Sequence, residues 1–260
     1  MDAIKINVVY PDKWEDYSGL NTKGLSLYDQ LAEITKYDRV LDRAKTNGTV
    51  DPQIWDTGCD ILTSNAYYMS SYNSIYILLG MLDEPYYYDG ISEEALLGSV
   101  GTGVIGHEIS HAFDASGSQY DKDGNLANWW TEEDHKVFAD RTDKLIKYFN
   151  DMTAWAGQSI VGENIQGEAI ADIAGMKVIL QLVKGRDDFD YDEFFTAYAD
   201  SWKTIDTPEA EAGFVTQDPH PLYYLRVNTT LQQFDEFYNT YDIKEGDNMY
   251  LAPEDRVSVW

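Results

Sequence analysis

Three polar residues, His107, Glu108 and His111, lie inside a segment whose small and apolar residues recur at helical spacing, Glu93–Ala115. Such spacing favours a helix that is buried in the protein interior. Polar groups in an interior cost free energy unless each of them finds a partner. The chain must therefore fold so that other elements bring partners to this helix.

The spacing of the two histidines suits a shared metal ion. Residues four apart lie on one face of a helix, so the imidazoles of His107 and His111 can reach the same ion. Glu108 lies beside the first histidine and can face a water molecule on that ion. Zinc metallopeptidases carry this His-Glu-x-x-His pattern, with the glutamate as the general base. The alternative is a helix that holds two histidines by chance.

A third ligand is expected from another element, because a catalytic zinc site typically has three protein ligands and one open position. The segment Gly167–Asp172 supplies two carboxylates, Glu168 and Asp172, which are four residues apart and have apolar neighbours. We expect Glu168 to bind the metal and Asp172 to accept a hydrogen bond from the far nitrogen of a histidine ligand. The alternative is an exposed acidic pair.

The length of 260 residues fits one large domain or two small ones, and the hydrophobic fraction of 43% is enough to bury a sizeable core. No apolar run approaches the ~20 residues of a membrane-spanning helix, and the first residues lack the pattern of a signal peptide. The net charge is -27, from 46 acidic and 19 basic residues. Such a charge repels nucleic acid and anionic lipid, so we expect neither as a partner. The single cysteine, Cys59, excludes an intrachain disulfide.

The pattern along the chain predicts an α+β fold that is mostly helical, with a small sheet near the N-terminus. Partial alternation predicts a strand over Ile4–Tyr10, and runs rich in tyrosine and isoleucine predict a strand pair over Asn65–Met69 and Ser74–Leu79. Thr131–Phe149 begins with a good N-cap and acidic residues, which favours a helix. Further helices are predicted over Leu25–Thr46, Ile160–Lys184, Asp190–Ile205 and Leu222–Tyr241.

Six short motifs resemble the neprilysin and endothelin-converting-enzyme family of zinc peptidases. They are VIGHEISHAFD at 104–114, NAYY at 65–68, GNLANWW at 124–130, GEAIAD at 167–172, YPDKWEDYSGL at 10–20 and the closing Val259-Trp260. The similarity runs across nearly the whole chain. It implies that residues 1–260 form a thermolysin-like metallopeptidase catalytic domain with one zinc ion, and that peptides are the substrates.

The resemblance also separates two candidate ligands. Glu163 lies in Gly162-Glu163-Asn164-Ile165, which is similar to the family's glutamate segment. Only Glu168, however, has both a preceding glycine and an acid, Asp172, four residues later. By resemblance the metal ligands are therefore His107, His111 and Glu168.

Four more residues receive roles from the resemblance alone. His220 corresponds to the family's donor to the oxyanion, and Arg226 corresponds to the arginine that holds a substrate carbonyl. Asn65 and Ala66 correspond to the substrate-binding strand, to which a peptide adds by main-chain hydrogen bonds. Without the resemblance, His220 is a loop histidine between two prolines, and Asn65 begins an ordinary strand.

Some features depart from the family pattern. The family's cysteines near Trp202-Lys203 and before the final Val-Trp are missing here, which indicates a bacterial-type member. Family members also carry a large helical region upstream that covers the active site. We expect such a cover to come from an upstream helical region or from a separate chain. The sequence fixes no compartment: the resemblance implies a secreted or cell-envelope protein, and a bacterial member could also be cytoplasmic.

The sequence thus predicts a zinc-dependent endopeptidase that hydrolyses oligopeptides, with Glu108 as the general base. Two alternatives stay open. One is a catalytically silent domain that binds peptides on the same scaffold. The other is a fragment that depends on a partner to cover an apolar face. The intact set of ligands, base and oxyanion donor favours the peptidase.

Overall fold

The computed structural model describes residues 2–11, 14–48, 55 and 60–258. Cys59 and the closing Val259-Trp260 lie outside these described residues, as do Asp12 and Lys13 of the YPDKWEDYSGL motif. Within the described residues the chain is mostly helical and has one small sheet, so the predicted α+β class is confirmed.

The sheet has three strands, β1 (Lys5–Val9), β2 (Ala66–Met69) and β3 (Ser74–Leu78). Their order is β1-β3-β2, with β1 parallel and β2 antiparallel to β3. All three predicted strands are confirmed, and each is one residue shorter at one or both ends. The turn between β2 and β3 ends at Asn73, whose φ of 46° is in the left-handed region that asparagine tolerates.

The central strand β3 is buried along its whole length. On one face, Ile75 and Ile77 pack in a cluster with Val104 of the histidine-bearing helical segment, whereas Tyr76 and Leu78 pack on the opposite face. A strand that is covered on both faces needs apolar residues at successive positions, which explains the run Ile-Tyr-Ile-Leu. The sheet therefore rests directly on the segment that carries the two histidines.

That segment is a continuous helical run whose hydrogen-bonding pattern changes along its length, and we call it the motif helix. It consists of α2 (Glu93–Leu96), a π-helical stretch (Leu97–Gly106), α3 (His107–Ser110) and a 3₁₀ turn (His111–Phe113). The helix predicted over Glu93–Ala115 is confirmed, but its glycine-rich part adopts the wider π turns. Such stretches are rare and are frequently found at functional sites.

The helix α5 (Gly162–Val183) crosses the motif helix and links the two largest parts of the core. Its first half packs with Leu145 and Phe149, and its second half packs with Phe194 and Phe195. Apolar residues on several of its sides are buried because it is surrounded by other helices. The helix predicted over Ile160–Lys184 is thus confirmed, with ends that differ by two residues and one residue.

The remaining helices are α1 (Leu27–Thr46), α4 (Glu132–Asn150), α6 (Tyr191–Asp200), α7 (Pro208–Gln217), α8 (Tyr223–Leu231) and α9 (Asp235–Tyr241). The predictions of α1 and α4 are confirmed. Thr131 and Asp134 form a reciprocal capping box that starts α4. None of the helices in the described part of the chain combines the length and apolar character that a membrane crossing requires.

Two helix predictions in the C-terminal third were wrong in detail, and one helix was missed. The helix predicted over Asp190–Ile205 ends at Asp200, and Ile205 is fully exposed, so no apolar stripe continues. The helix predicted over Leu222–Tyr241 is divided into α8 and α9, because Phe234 adopts an extended backbone and packs against both halves of the core. The helix α7 was not predicted, although Thr207 caps its first turn.

Candidate metal centre

The two motif histidines face each other at the end of the motif helix. His107 begins α3 and His111 begins the 3₁₀ turn, one helical turn later. Their Nε2 atoms are 3.1 Å apart, and their rings are nearly perpendicular. The structure therefore brings both imidazoles to one point, as the spacing of four residues predicts.

The helix α5 brings Glu168 to the same point. Its Oε2 atom lies 3.1 Å from Nε2 of His107 and 3.5 Å from Nε2 of His111. Glu163, the rival candidate, is exposed and accepts a hydrogen bond from Asn150. The structure thus groups His107 and His111 with Glu168 and leaves Glu163 outside the cluster.

The chemistry of these three donor atoms fits a bound cation. The outer nitrogen of each histidine, Nδ1, lies 2.8 Å from a carboxylate oxygen. A carboxylate only accepts hydrogen bonds, so each Nδ1 carries a proton, and in the neutral ring each Nε2 then has the lone pair that a metal ion needs. Glu168 Oε2 is buried and makes no hydrogen bond of adequate geometry within the described residues. Three electron-rich atoms that converge in this way are the donor set that zinc prefers.

Asp172 supports His107 from behind and lies on α5 one turn after Glu168. Its Oδ1 accepts from Nδ1 of His107, as predicted from the sequence. Arg226 of α8 binds both carboxylate oxygens, through Nε at 2.8 Å and Nη2 at 2.6 Å. Burial raises the pKa of Asp172, but the Arg226 guanidinium and His107 outweigh burial and hold that pKa below its usual range. Asp172 therefore stays ionised in the interior.

Arg226 has a structural contact in addition to the substrate-binding role that the resemblance implies. Its guanidinium lies 3.8 Å from the ring centroid of Trp202, in a cation–π contact, and the side chain is buried. The sequence resemblance assigns this arginine to a substrate carbonyl. In the structure it first binds Asp172, and through that residue it supports His107. Nη1 forms no hydrogen bond within the described residues, so it is free to bind another acceptor.

His111 has its own supporting carboxylate, which sequence reasoning did not assign. Asp114 Oδ2 accepts from Nδ1 of His111 at 2.8 Å. Asp114 follows His111 by three residues and lies just after the 3₁₀ turn. An acid three residues after a histidine ligand is a weak signal, because the contact depends on how the chain turns after the helix. The structure supplies that turn.

Glu108 lies between the two histidines in sequence and is buried. Burial raises the pKa of Glu108 above that of an exposed glutamate, and the neighbouring histidines only partly offset this effect. A raised pKa makes the carboxylate a stronger base, which is the property a proton acceptor needs near neutral pH. Burial in turn lowers the pKa of His111, but Asp114 and Glu168 outweigh burial and raise that pKa to about 10.

His220 reaches the cluster from the loop before α8. Its Nε2 lies 3.2 Å from Glu168 Oε2, and its Nδ1 lies 2.7 Å from Oδ1 of Asp218. Burial lowers the pKa of His220, but Glu168 and Asp218 outweigh burial and raise it. A raised pKa favours the ring with N–H groups on both nitrogens. The structure therefore places His220, the donor that the resemblance implies, beside the three candidate metal ligands.

Ala66 begins β2, which is an edge strand of the sheet. Asn65 immediately precedes it, and its backbone N–H and carbonyl already bind Thr63 and Leu78. β2 pairs with β3 on one side, and within the described residues no strand pairs with its other side. The strand also lies next to α3, which carries His107. An open edge of this kind has the unpaired main-chain groups to which an extended peptide can add.

Two histidines of one helix and a glutamate of a second helix form a group that could hold a metal ion, and a buried glutamate lies beside the first histidine, which is the arrangement typical of zinc metallopeptidases. Comparison with known proteins supports this class. The sequence profile described as peptidase family M13 matches residues 65–257. The chain belongs to peptidase family M13.

Two proteins with known names illustrate the relationship. A neutral endopeptidase of Lactococcus lactis subsp. lactis is 36% identical, over all of this chain and 41% of that protein. Human neprilysin is 28% identical, over 99% of this chain and 37% of neprilysin. The resemblance to the neprilysin family is thereby confirmed, and relatives of this chain occur in bacteria.

Solved structures show the same fold. PepO of Lactobacillus rhamnosis matches with a TM-score of 0.87 and 32% identity, over 99% of this chain and 41% of that one. The zinc metalloprotease Zmp1 of Mycobacterium tuberculosis, in complex with an inhibitor, matches with a TM-score of 0.85 and 34% identity, over 99% and 41%. The chain spans about two fifths of the length of these relatives.

Proposed function

We propose that this chain carries the catalytic centre of a zinc-dependent endopeptidase that hydrolyses peptide bonds in oligopeptides. The observation that carries the proposal is the convergence of His107 Nε2, His111 Nε2 and Glu168 Oε2 within 3.5 Å of one another. Glu108 is buried next to them. The M13 relatives are called neutral endopeptidase and neprilysin, which supports the same activity.

In the proposed hydrolysis, the metal ligands, Glu108 and Asp172 have separate roles. His107, His111 and Glu168 would hold the zinc ion, which when bound would supply a Lewis acid for the scissile carbonyl and lower the pKa of water toward ~7. Glu108 takes the proton of the attacking water and later delivers it to the leaving amine. Asp172 holds His107 in the tautomer that directs Nε2 to the metal. No covalent enzyme intermediate is needed.

The remaining candidates bind the substrate in this proposal. His220 donates a hydrogen bond from Nε2 to the developing oxyanion, a contact typically worth ~3–4 kcal/mol. Arg226 binds a substrate carbonyl through Nη1 while its other nitrogens hold Asp172. Asn65 and Ala66 bind the main chain of a peptide that lies along the open edge of β2.

Substitution of three glutamates tests the proposal. Glu108→Gln should keep one zinc per chain and lose peptide hydrolysis, because only the base is removed. Glu168→Gln should lose both zinc and hydrolysis. Glu163→Gln is the matched control, since this glutamate lies on the same helix but is exposed, and it should keep both. Zinc is measured by elemental analysis, and hydrolysis of a mixed peptide pool is measured with and without a chelator.

The same experiment separates the alternatives. A Glu108→Gln variant that cleaves peptides at the wild-type rate would refute the assignment of the base. A wild type that binds zinc and peptides but cleaves none would indicate a silent peptide-binding domain.

We also propose that an upstream helical region or a separate chain packs on this domain and limits access to the site. The helix α1 supports this proposal, because none of its 20 residues is buried. Several of its apolar side chains are largely exposed, namely Leu27, Tyr28, Leu31 and Val40. Sizing of the pure chain, alone and mixed with an upstream region, tests the idea. A monodisperse chain that cleaves only small peptides and ignores the added region would contradict it.

A further inference from the structure

The carboxylate of Asp114 is held by three hydrogen bonds. Oδ2 accepts from Nδ1 of His111 at 2.8 Å. Oδ1 accepts from the backbone N–H groups of Ser116 and Gly117, each at 2.7 Å. Asp114 is buried, with 8% of the residue's surface exposed. Both oxygens are thus engaged, so the plane and direction of the carboxylate are fixed relative to the imidazole.

The turn after the motif helix is built around this contact. The 3₁₀ turn ends at Phe113, and Asp114 continues with an extended backbone. The chain then folds back so closely that a Cβ at Gly117 would overlap the carbonyl oxygen of His111. The turn over residues 114–117 is therefore pressed against the second histidine, and a glycine is required where it approaches.

Asp114 and Asp172 serve different histidines and differ in their own partners. Asp172 shares its charge between His107 and the guanidinium of Arg226. Among the ion pairs of the described residues, Asp114 pairs only with His111. Within these ion pairs Asp114 therefore has no lysine or arginine partner, and its charge acts on His111 and on the two backbone N–H groups of the turn. A ring polarised in this way is a more basic metal ligand.

We propose that Asp114 is a positioning residue of the metal site, which fixes the tautomer and ring direction of His111 so that Nε2 faces the ion. The inference rests on the proposed zinc site and extends it. Each histidine ligand then has one supporting carboxylate, and the two carboxylates come from different elements. Asp172 is fixed by an arginine on α8, whereas Asp114 is fixed by the backbone of the following turn.

The test compares Asp114→Asn with a matched control, Asp121→Asn. Asparagine keeps an oxygen that can accept from Ser116 and Gly117, so the turn is retained while the charge is lost. Asp121 also accepts two backbone N–H groups, at 2.9 and 3.0 Å, but it has no histidine partner among the described contacts. Zinc affinity is measured by competition with a chromophoric chelator, and metal-free stability by urea unfolding.

We expect Asp114→Asn to weaken zinc binding by about 10–100-fold, the usual effect of removing such a partner. Asp121→Asn should bind zinc as the wild type does, and Asp114→Glu, which restores a carboxylate, should recover part of the loss. An Asp114→Asn variant whose zinc affinity lies within about twofold of the wild type would overturn the inference. An Asp114→Asn variant that is less stable without metal but binds zinc as the wild type does would also overturn it. A wild type without zinc affinity would instead refute the proposed function.

A measurement on the wild type keeps the inference testable if the variant does not fold. In the zinc-loaded protein, the ¹⁵N chemical shifts of His111 should show a protonated Nδ1 that donates a hydrogen bond. A His111 ring that binds the metal through Nδ1, with the proton on Nε2, would overturn the proposal.

Discussion

Gly175→Ala tests whether the close crossing of two helices sets the distances within the metal site. Gly175 of α5 lies against Gly106, the residue before His107. A Cβ at Gly175 would lie 2.8 Å from the backbone nitrogen of His107 and 2.8 Å from the carbonyl oxygen of Thr102. Both neighbours are backbone atoms, so no flexible side chain can move aside. The helices themselves must separate.

The size of the effect follows from these distances. Ordinary contacts of a Cβ begin near 3.4 Å, so α5 must move away from the motif helix by about 0.6 Å. Overpacking of this kind typically costs ~1–3 kcal/mol of stability. A metal or catalytic site tolerates displacements of only ~0.5 Å. Glu168 is on α5 and His107 is on the motif helix, so separation of the helices moves these candidate ligands apart. We therefore also expect zinc affinity to fall about tenfold, which is within the range seen when residues that support metal ligands are substituted.

The assay is urea unfolding of the metal-free protein, together with zinc affinity by chelator competition. Gly213→Ala is the control, because Gly213 lies in the helix α7 and a Cβ there would meet nothing within 4 Å. That variant should be as stable as the wild type, or more stable by ~0.5–1 kcal/mol. A Gly175→Ala variant with wild-type stability and wild-type zinc affinity would refute the reasoning.

Three further predictions concern stability. Leu145→Ala removes a fully buried side chain from the core and should cost ~2–5 kcal/mol in urea unfolding while zinc affinity stays constant; a cost below ~1 kcal/mol would contradict the assigned core. Arg226→Met leaves Asp172 buried without its cation and should cost ~3–5 kcal/mol, whereas an unchanged unfolding midpoint would show that the pair is not needed. Zinc at 100 times its dissociation constant should raise the free energy of unfolding by ~2.7 kcal/mol, and a chelator should abolish that gain. If neither zinc nor the chelator changes the free energy of unfolding of the wild type, zinc does not bind specifically to the folded chain.

Local rules predicted from the sequence which side chains the structure brings together at the candidate metal site. His107 and His111 are one helical turn apart, and so are Glu168 and Asp172, so each pair had to share a face once the segments were helical. The segments were recognisable because apolar residues surround these polar ones. The β2–β3 pair was predictable for a similar reason, since β3 is apolar at successive positions and is buried on both faces.

Features that depend on tertiary packing were not predictable. The close approach of Gly106 to Gly175 requires that neither residue has a Cβ, and it occurs because α5 crosses the motif helix at that point. The division between α8 and α9 depends on Phe234, which packs against two core clusters at once. The role of Asp114 depends on a turn that folds back on His111, and three-residue spacing alone does not specify that turn.

The most direct test of the metal site is an anomalous difference map, collected at the zinc absorption edge from crystals grown with one equivalent of zinc. The structure predicts a single strong peak ~2.0–2.2 Å from Nε2 of His107, Nε2 of His111 and a carboxylate oxygen of Glu168. A peak at another place, or a peak that lacks Glu168 as a ligand, would contradict the assignment.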